Sequence, residues 1–251
     1  MSPHELPADW SVQRDELRRI ATHVVAHAQQ QVTGHFALMA LPGGFGTPQF
    51  GDDRQRVRVA GGSLFVETAR GRRDDEETAT TTVHPLAGSS ISSLCAACGI
   101  EPDPELWVGG DTPPLGDPDR SIDLDPRSAD VLGDWYSLGN QAMDAAIASL
   151  PNPQASVVRL WPEHFDLGVD VAVDTTGKPG VRTNLGAAAG DGFHEPPYLY
   201  VGPWGAERPG ASAFWNAPFG AVLGFDEVVA SDDPQRTATE FFRTGIAHLR
   251  A

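Results

Sequence analysis

WPEHFDLGVDVAVD, residues 161–174, is the stretch whose periodicity decides the fold. Side chains alternate across a strand, so Phe165, Leu167, Val169, Val171 and Val173 take one face, and His164, Asp166, Gly168 and Asp170 the other. An apolar face toward a core and a polar face away from it is the pattern of an antiparallel sheet. The polar face either meets solvent or lines a cleft, where Gly168 would leave room for a ligand.

On either side the same logic continues. SVVRLW (156–161), VRTNL (181–185) and PYLYVGPW (197–204) read as further strands, with a turn at TTGKPG (175–180). Asp125 and Pro126 form an N-cap and first-turn pair, and Val131, Trp135, Leu138, Ala142, Ala145 and Ala146 carry a helical stripe to about Leu150. A last helix starts at Asp233 and Pro234 and turns Ala238, Phe241, Phe242, Ile246 and Leu249 inward. The N-terminal part shows the same order of elements. Leu17, Ile20, Ala21, Val24, Val25 and Ala28 predict a helix over 10–31 closed by Gly34. HFALMAL (35–41), a hairpin of RVRVA and SLFVETA about Gly61-Gly62, a solvated loop GRRDDEE (71–77), a β-prone TATTTVHPL and a short helix over 88–98 follow.

This order predicts an α+β fold, antiparallel sheets flanked by helices, with two similar helix-strands-helix halves in one compact unit. The halves are residues 1–100 and 126–251, joined by a surface connection over 101–125 that is rich in Pro, Gly and Asp.

Composition narrows the function. The 251 residues are 40% hydrophobic, enough for a core, and the formal charge of −16 repels nucleic acid and anionic lipid. No run approaches the ~20 apolar residues of a membrane span, and the N-terminus lacks a signal-like basic and apolar start, so the expected location is the cytoplasm. Dinucleotide, Walker A, serine-hydrolase elbow and kinase motifs are absent. His23 and His27 lie one turn apart without the acidic residue of a metalloprotease pattern and read as solvent-facing or packed histidines. Cys95 and Cys98 form a C-x-x-C, but Gly99 marks a helix C-terminus, where the dipole opposes a thiolate, and zinc lacks a second Cys pair. They read as buried thiols.

Chemistry is expected where the polar strand face meets the loop GDGFHEPP before the aromatic strand. If that loop folds over the strand, Asp166, His194 and Glu195 become candidate catalytic groups for acid and base work. Together with His164 they could instead hold a divalent metal. Trp161, Phe193, Tyr198, Tyr200, Trp204, Phe214, Trp215 and Phe219 could wall a pocket for a flat or sugar-like ligand, or else anchor irregular chain, and Trp161, Tyr198, Tyr200 and Trp204 are the candidate ligand-binding residues among them.

WPEHFDL (161–167) and DGFHEPPYLYVGPW (191–204) resemble segments of a group of actinobacterial proteins of unknown function and, more distantly, a broader bacterial family of unknown function. The resemblance rests on Phe165, Asp166, Leu167, His194 and Glu195. It implies a helix and sheet in each half, a Phe-Asp-Leu strand start and a His-Glu pair before an aromatic strand; the distant family has no equivalent of His164. Three functions fit: a small-molecule binding protein or enzyme with a cleft near Asp166, His194 and Glu195, a metal-dependent hydrolase using those groups and His164, or a non-enzymatic interaction or structural protein. The helices are too short for a coiled-coil signal, so oligomeric state stays open.

Overall fold

The computed structural model describes residues 5–70, 78–151, 154–173 and 180–250, so the loop at 71–77 and most of the turn at 175–180 lie outside the described residues. Two antiparallel sheets and their helices make the fold α+β. The chain divides into two compact units. Residues 1–134 and 160–165 form the first, and residues 135–159 and 166–251 the second. The segment 101–125 therefore belongs to the first unit, and the division falls inside a helix rather than in that segment.

In the first unit the N-terminal helix is built from α1 (Trp10–Ile20), a π-helical segment (Ala21–Ala26) and α2 (His27–Thr33). It ends at Gly34, whose left-handed φ of 73° suits the one residue type without a Cβ. The strands β1 (Met39–Leu41), β2 (Gly44–Gly46), β3 (Arg56–Ala60), β4 (Ser63–Arg70) and β5 (Thr78–Pro85) pair in chain order. Ala60 pairs with Ser63, which leaves Gly61 and Gly62, at φ 54° and 70°, as the expected two-residue turn. Helix α3 (Ile91–Ala97) starts in a capping box of Ser90 and Ser93. Burial pushes both thiols up to about 12, and the Cys95 thiol donates to the carbonyl of His23 at 3.3 Å.

The connection expected on the surface is largely exposed and is also bound down. Arg19 donates from Nε to the Leu115 carbonyl (2.7 Å) and from Nη2 to that of Asp117 (2.5 Å). His23 donates to Pro113 (2.8 Å), Arg18 to Asp111 (2.6 Å) and Gln30 to Trp107 (2.9 Å). A segment this rich in proline and glycine has no strand partner, so its carbonyls are satisfied by helix side chains. The result is a strap running antiparallel to the N-terminal helix.

In the second unit, α4 (Pro126–Ile147) continues from the first and is followed by β6 (Gln154–Ala155). The chain then passes through β7 (Arg159–Trp161) to β8 (Asp166–Ala172), β9 (Arg182–Ala188), β10 (Tyr198–Pro203), β11 (Ala221–Gly224), α5 (Phe225–Val229) and α6 (Pro234–Arg250). The strands lie in the order β11-β10-β9-β8-β6. Leu167, Val169 and Val171 share the buried face with Leu185, Ala187, Leu199 and Val201, as the alternation predicts. Two helix glycines let this face pack closely: a Cβ on Gly139 of α4 would sit 2.5 Å from that of Ala187, and one on Gly245 of α6 would sit 2.8 Å from Val201. Burying each large aliphatic side chain there contributes about 1.5–3 kcal/mol.

Candidate functional site

The opposite face of the second unit's sheet carries the polar groups. The register sets Asp166, Ala188, Tyr198 and Gly224 in one row, and Gly168, Gly186 and Tyr200 in the next. A Cβ on Gly186 would collide with the Tyr200 phenol ring, so glycine there lets the ring lie across β9. The hydroxyl thereby reaches β8 and donates to Asp166 Oδ2. The room that small residues give this face is thus filled, at position 186, by the protein's own tyrosine.

Tyr198 makes a parallel arrangement and donates to Asp191 Oδ2 at 2.6 Å. The other oxygen of Asp191 accepts the backbone N–H groups of Phe193 (2.8 Å) and His194 (3.0 Å), and Asp191 N–H donates to the His194 carbonyl (2.9 Å). One carboxylate therefore shapes the loop and fixes the tyrosine. Gly190, at φ 97°, is needed beneath it, because a side chain would strike the carbonyl of Glu195. Burial first, and the neighbouring carboxylates second, hold both phenols well above the ordinary tyrosine range. They remain hydrogen-bond donors throughout the physiological range. Buried Tyr136 of α4 is raised by the same causes, burial ahead of Asp166.

Two loops place phenylalanines beside these pairs. The Asp191 loop presents Phe193, and a turn in which Ala217 and Gly220 exchange backbone hydrogen bonds presents Phe219. Asn216 braces that turn by bonding both the N–H and the carbonyl of Val222. The two rings meet at 5.3 Å and remain 49% and 39% exposed. Both lie next to the tyrosines, Phe193 at 6.4 Å from Tyr198 and Phe219 at 6.4 Å from Tyr200. His194 stacks its edge on Tyr198 at 5.7 Å. A Cβ at Gly224 would lie 3.6 Å from His194 Nε2 and 3.6 Å from Glu227 Oε1, so both groups border the space above that glycine.

Farther along the face, Trp204 is 64% exposed, with its indole N–H on Asn184 Oδ1 (3.0 Å) and the Arg182 guanidinium 5.5 Å from its ring centre. Arg182 is clamped on Asp170 by both Nε and Nη2.

Of the expected site residues, Asp166, His194, Tyr198 and Tyr200 come together here, Glu195 sits exposed on the loop behind His194, and Trp204 stands at the other end of the face. Two expectations need correction. His164 is no strand residue: residues 162–165 form a turn in which Phe165 N–H donates to Trp161 O (2.7 Å), and Phe165 takes a left-handed φ of 53°. That conformation costs roughly 1 kcal/mol or more and breaks the alternation that set His164 beside Asp166. Packing of Phe165 edge-on against Phe45 at 5.4 Å helps to hold it. His164 Nδ1 pairs instead with Asp111 at 3.3 Å, and Trp161 packs against Phe36 at 6.2 Å, both within the first unit. The metal set of His164, Asp166, His194 and Glu195 is therefore not assembled: among the described residues no three His, Cys, Asp or Glu side chains gather so as to hold an ion.

Asp191 and Glu227 are the site groups absent from the candidate catalytic set, whereas Phe193 and Phe219 are among the aromatics expected to wall a pocket. Asp191 had a signal, an Asx residue opening a Gly-bounded loop. Glu227 had none, since the histidine it approaches lies on a distant loop. No helix among the described residues is long and apolar enough to cross a membrane. No protein-family model, curated protein or solved structure matches the chain.

Proposed function

We propose that this chain is a small-molecule binding protein whose ligand rests on the polar, aromatic face of the second unit's sheet, at the end marked by Asp166, Asp191 and His194. One observation carries the reading: half-exposed Phe193 and Phe219 lie directly against two tyrosines whose hydroxyls are fixed on carboxylates. Exposed apolar rings beside a few oriented polar groups are what a ligand with a flat or apolar body and a polar end requires. With the phenols locked as donors, the tyrosines serve recognition rather than nucleophilic attack. An enzymatic use of the same face is the second reading, favoured by His194 and Glu227 at the open position of Gly224, where an imidazole and a carboxylate could move a proton.

The test is ligand-observed NMR on the full chain with benzylamine, benzyl alcohol and benzoate. At least one probe should bind saturably to the native protein and be lost in Phe219→Ala. If none binds, or if binding is unchanged in that variant, the reading fails.

A further inference from the structure

The ring contacts around this face close on themselves. Phe193 adjoins Tyr198 (6.4 Å), Tyr198 adjoins Tyr200 (6.3 Å), Tyr200 adjoins Phe219 (6.4 Å), and Phe219 returns to Phe193 (5.3 Å). Four aromatic rings thus stand at the corners of a four-sided figure, each tilted or edge-on to the next, at 56° to 88°. For any closed figure with such sides, the mean point lies on average roughly 4 Å or less from the corners, inside the ~6 Å over which a ring face attracts a cation. Phe193 and Phe219 form the open side, whereas Tyr198 is 4% exposed and closes the floor.

Charge points the same way. Asp191 and Asp166 hold the two tyrosine hydroxyls, so anions stand behind the rings, and the chain carries a formal charge of −16. The protein's own cations stack on aromatic rings elsewhere: Arg58 on Phe65 (3.9 Å), Arg182 on Trp204 and Arg208 on Trp215 (5.7 Å). Among the described residues no such contact involves the four rings. Arg208 approaches, but its donors go to the carbonyls of Gly205, Glu207 and Phe219.

We infer that the four rings form a cage for an organic ammonium group, carried on a small alkyl body, with Asp166 and Asp191 as its countercharge. The inference rests on the binding role proposed above and names the ligand class. A neutral sugar would find its flat platform at Trp204 instead; a carboxylate ligand would be repelled by Asp166 and Asp191.

The experiment is titration of the full chain, at constant ionic strength, with choline chloride and with its uncharged tert-butyl analogue, in which carbon replaces the quaternary nitrogen. Choline should bind about tenfold more tightly than the analogue, and Phe219→Ala should weaken choline about tenfold, while Phe219→Trp retains it. If Phe219→Ala does not fold, Phe193→Ala, at the more exposed ring, replaces it. Equal binding of choline and analogue, or no choline binding, overturns the ammonium assignment. In either case the benzyl probes decide separately: a Phe219-dependent benzyl alcohol or benzoate signal keeps the binding role, and its absence removes both.

Discussion

The N-terminal helix of the first unit and the open sheet face of the second both carry polar groups in partly buried surroundings, but they treat them differently. On the helix, Arg14, Glu16, Arg19, His23 and His27 are all buried, and Arg19 alone has three acceptors: Leu115, Asp117 and Glu16. Glu16 is shared with Arg120 and His23 bonds the strap at Pro113, while Arg14 pairs with Asp15 and His27 with Gln31 on the helix itself. On the sheet face, Asp166 and Asp191 are also engaged, yet the rings beside them remain half open to solvent. Buried charge by itself therefore marks architecture as readily as function. What separates the two regions is apolar surface left uncovered next to oriented polar groups.

The comparison can be broken most forcefully at Arg19. Arg19→Ala should destabilise the protein by about 3–5 kcal/mol, because it removes one partner of a buried ion pair and strands two strap carbonyls. The urea midpoint should fall while probe binding in the native state is unchanged; a change below ~1 kcal/mol would mean that the strap is only loosely tied. At the sheet face the effect should be smaller. Tyr200→Phe keeps the ring but removes the donor to Asp166, and a loss of about 1.5–3 kcal/mol is expected in the same assay, with the low end favoured by the half-buried site.

The smallest effect is a pH dependence confined to the helix. Burial first, opposed by the Pro113 hydrogen bond and reinforced by Arg19, holds His23 below the ordinary histidine range, and burial does the same for His27. The unfolded chain then takes up protons that the folded chain refuses, so stability is full above about pH 6.5 and declines below it. Comparing the native protein with a His23→Gln, His27→Gln double variant between pH 7 and 5 isolates this contribution; identical slopes would show that neither histidine resists protonation.

Much of the frame was legible in the sequence because it rests on local chemistry. The hairpin at Gly61-Gly62, the helix stop at Gly34 and the start at Asp233, whose side chain caps Arg236 N–H at 3.0 Å, all follow from residue types that tolerate few alternatives. The two faces of β8 also follow, since alternation is a property of any strand. His164 was misplaced for an equally physical reason. Nothing in the residue type of a phenylalanine announces a left-handed backbone, and one such residue is enough to uncouple its neighbours. The strap was invisible because its acceptors are backbone carbonyls, which every residue has. The ring of Phe193, Tyr198, Tyr200 and Phe219 was legible only in part, as aromatic richness, because its closure depends on which loop tip meets which strand.

The π-helical segment Ala21–Ala26 carries a different kind of consequence. A turn of this width is what a helix retains after accepting one extra residue without displacing what lies on either side. Removing one residue from it would restore ordinary winding and leave the side chains on either side facing as they do. Arg18 and Arg19 on one side and Gln30 on the other would both keep their strap carbonyls. The helix can therefore lose one residue there, whereas the same loss within α1 or α2 would turn one group of strap contacts by about 100° against the other.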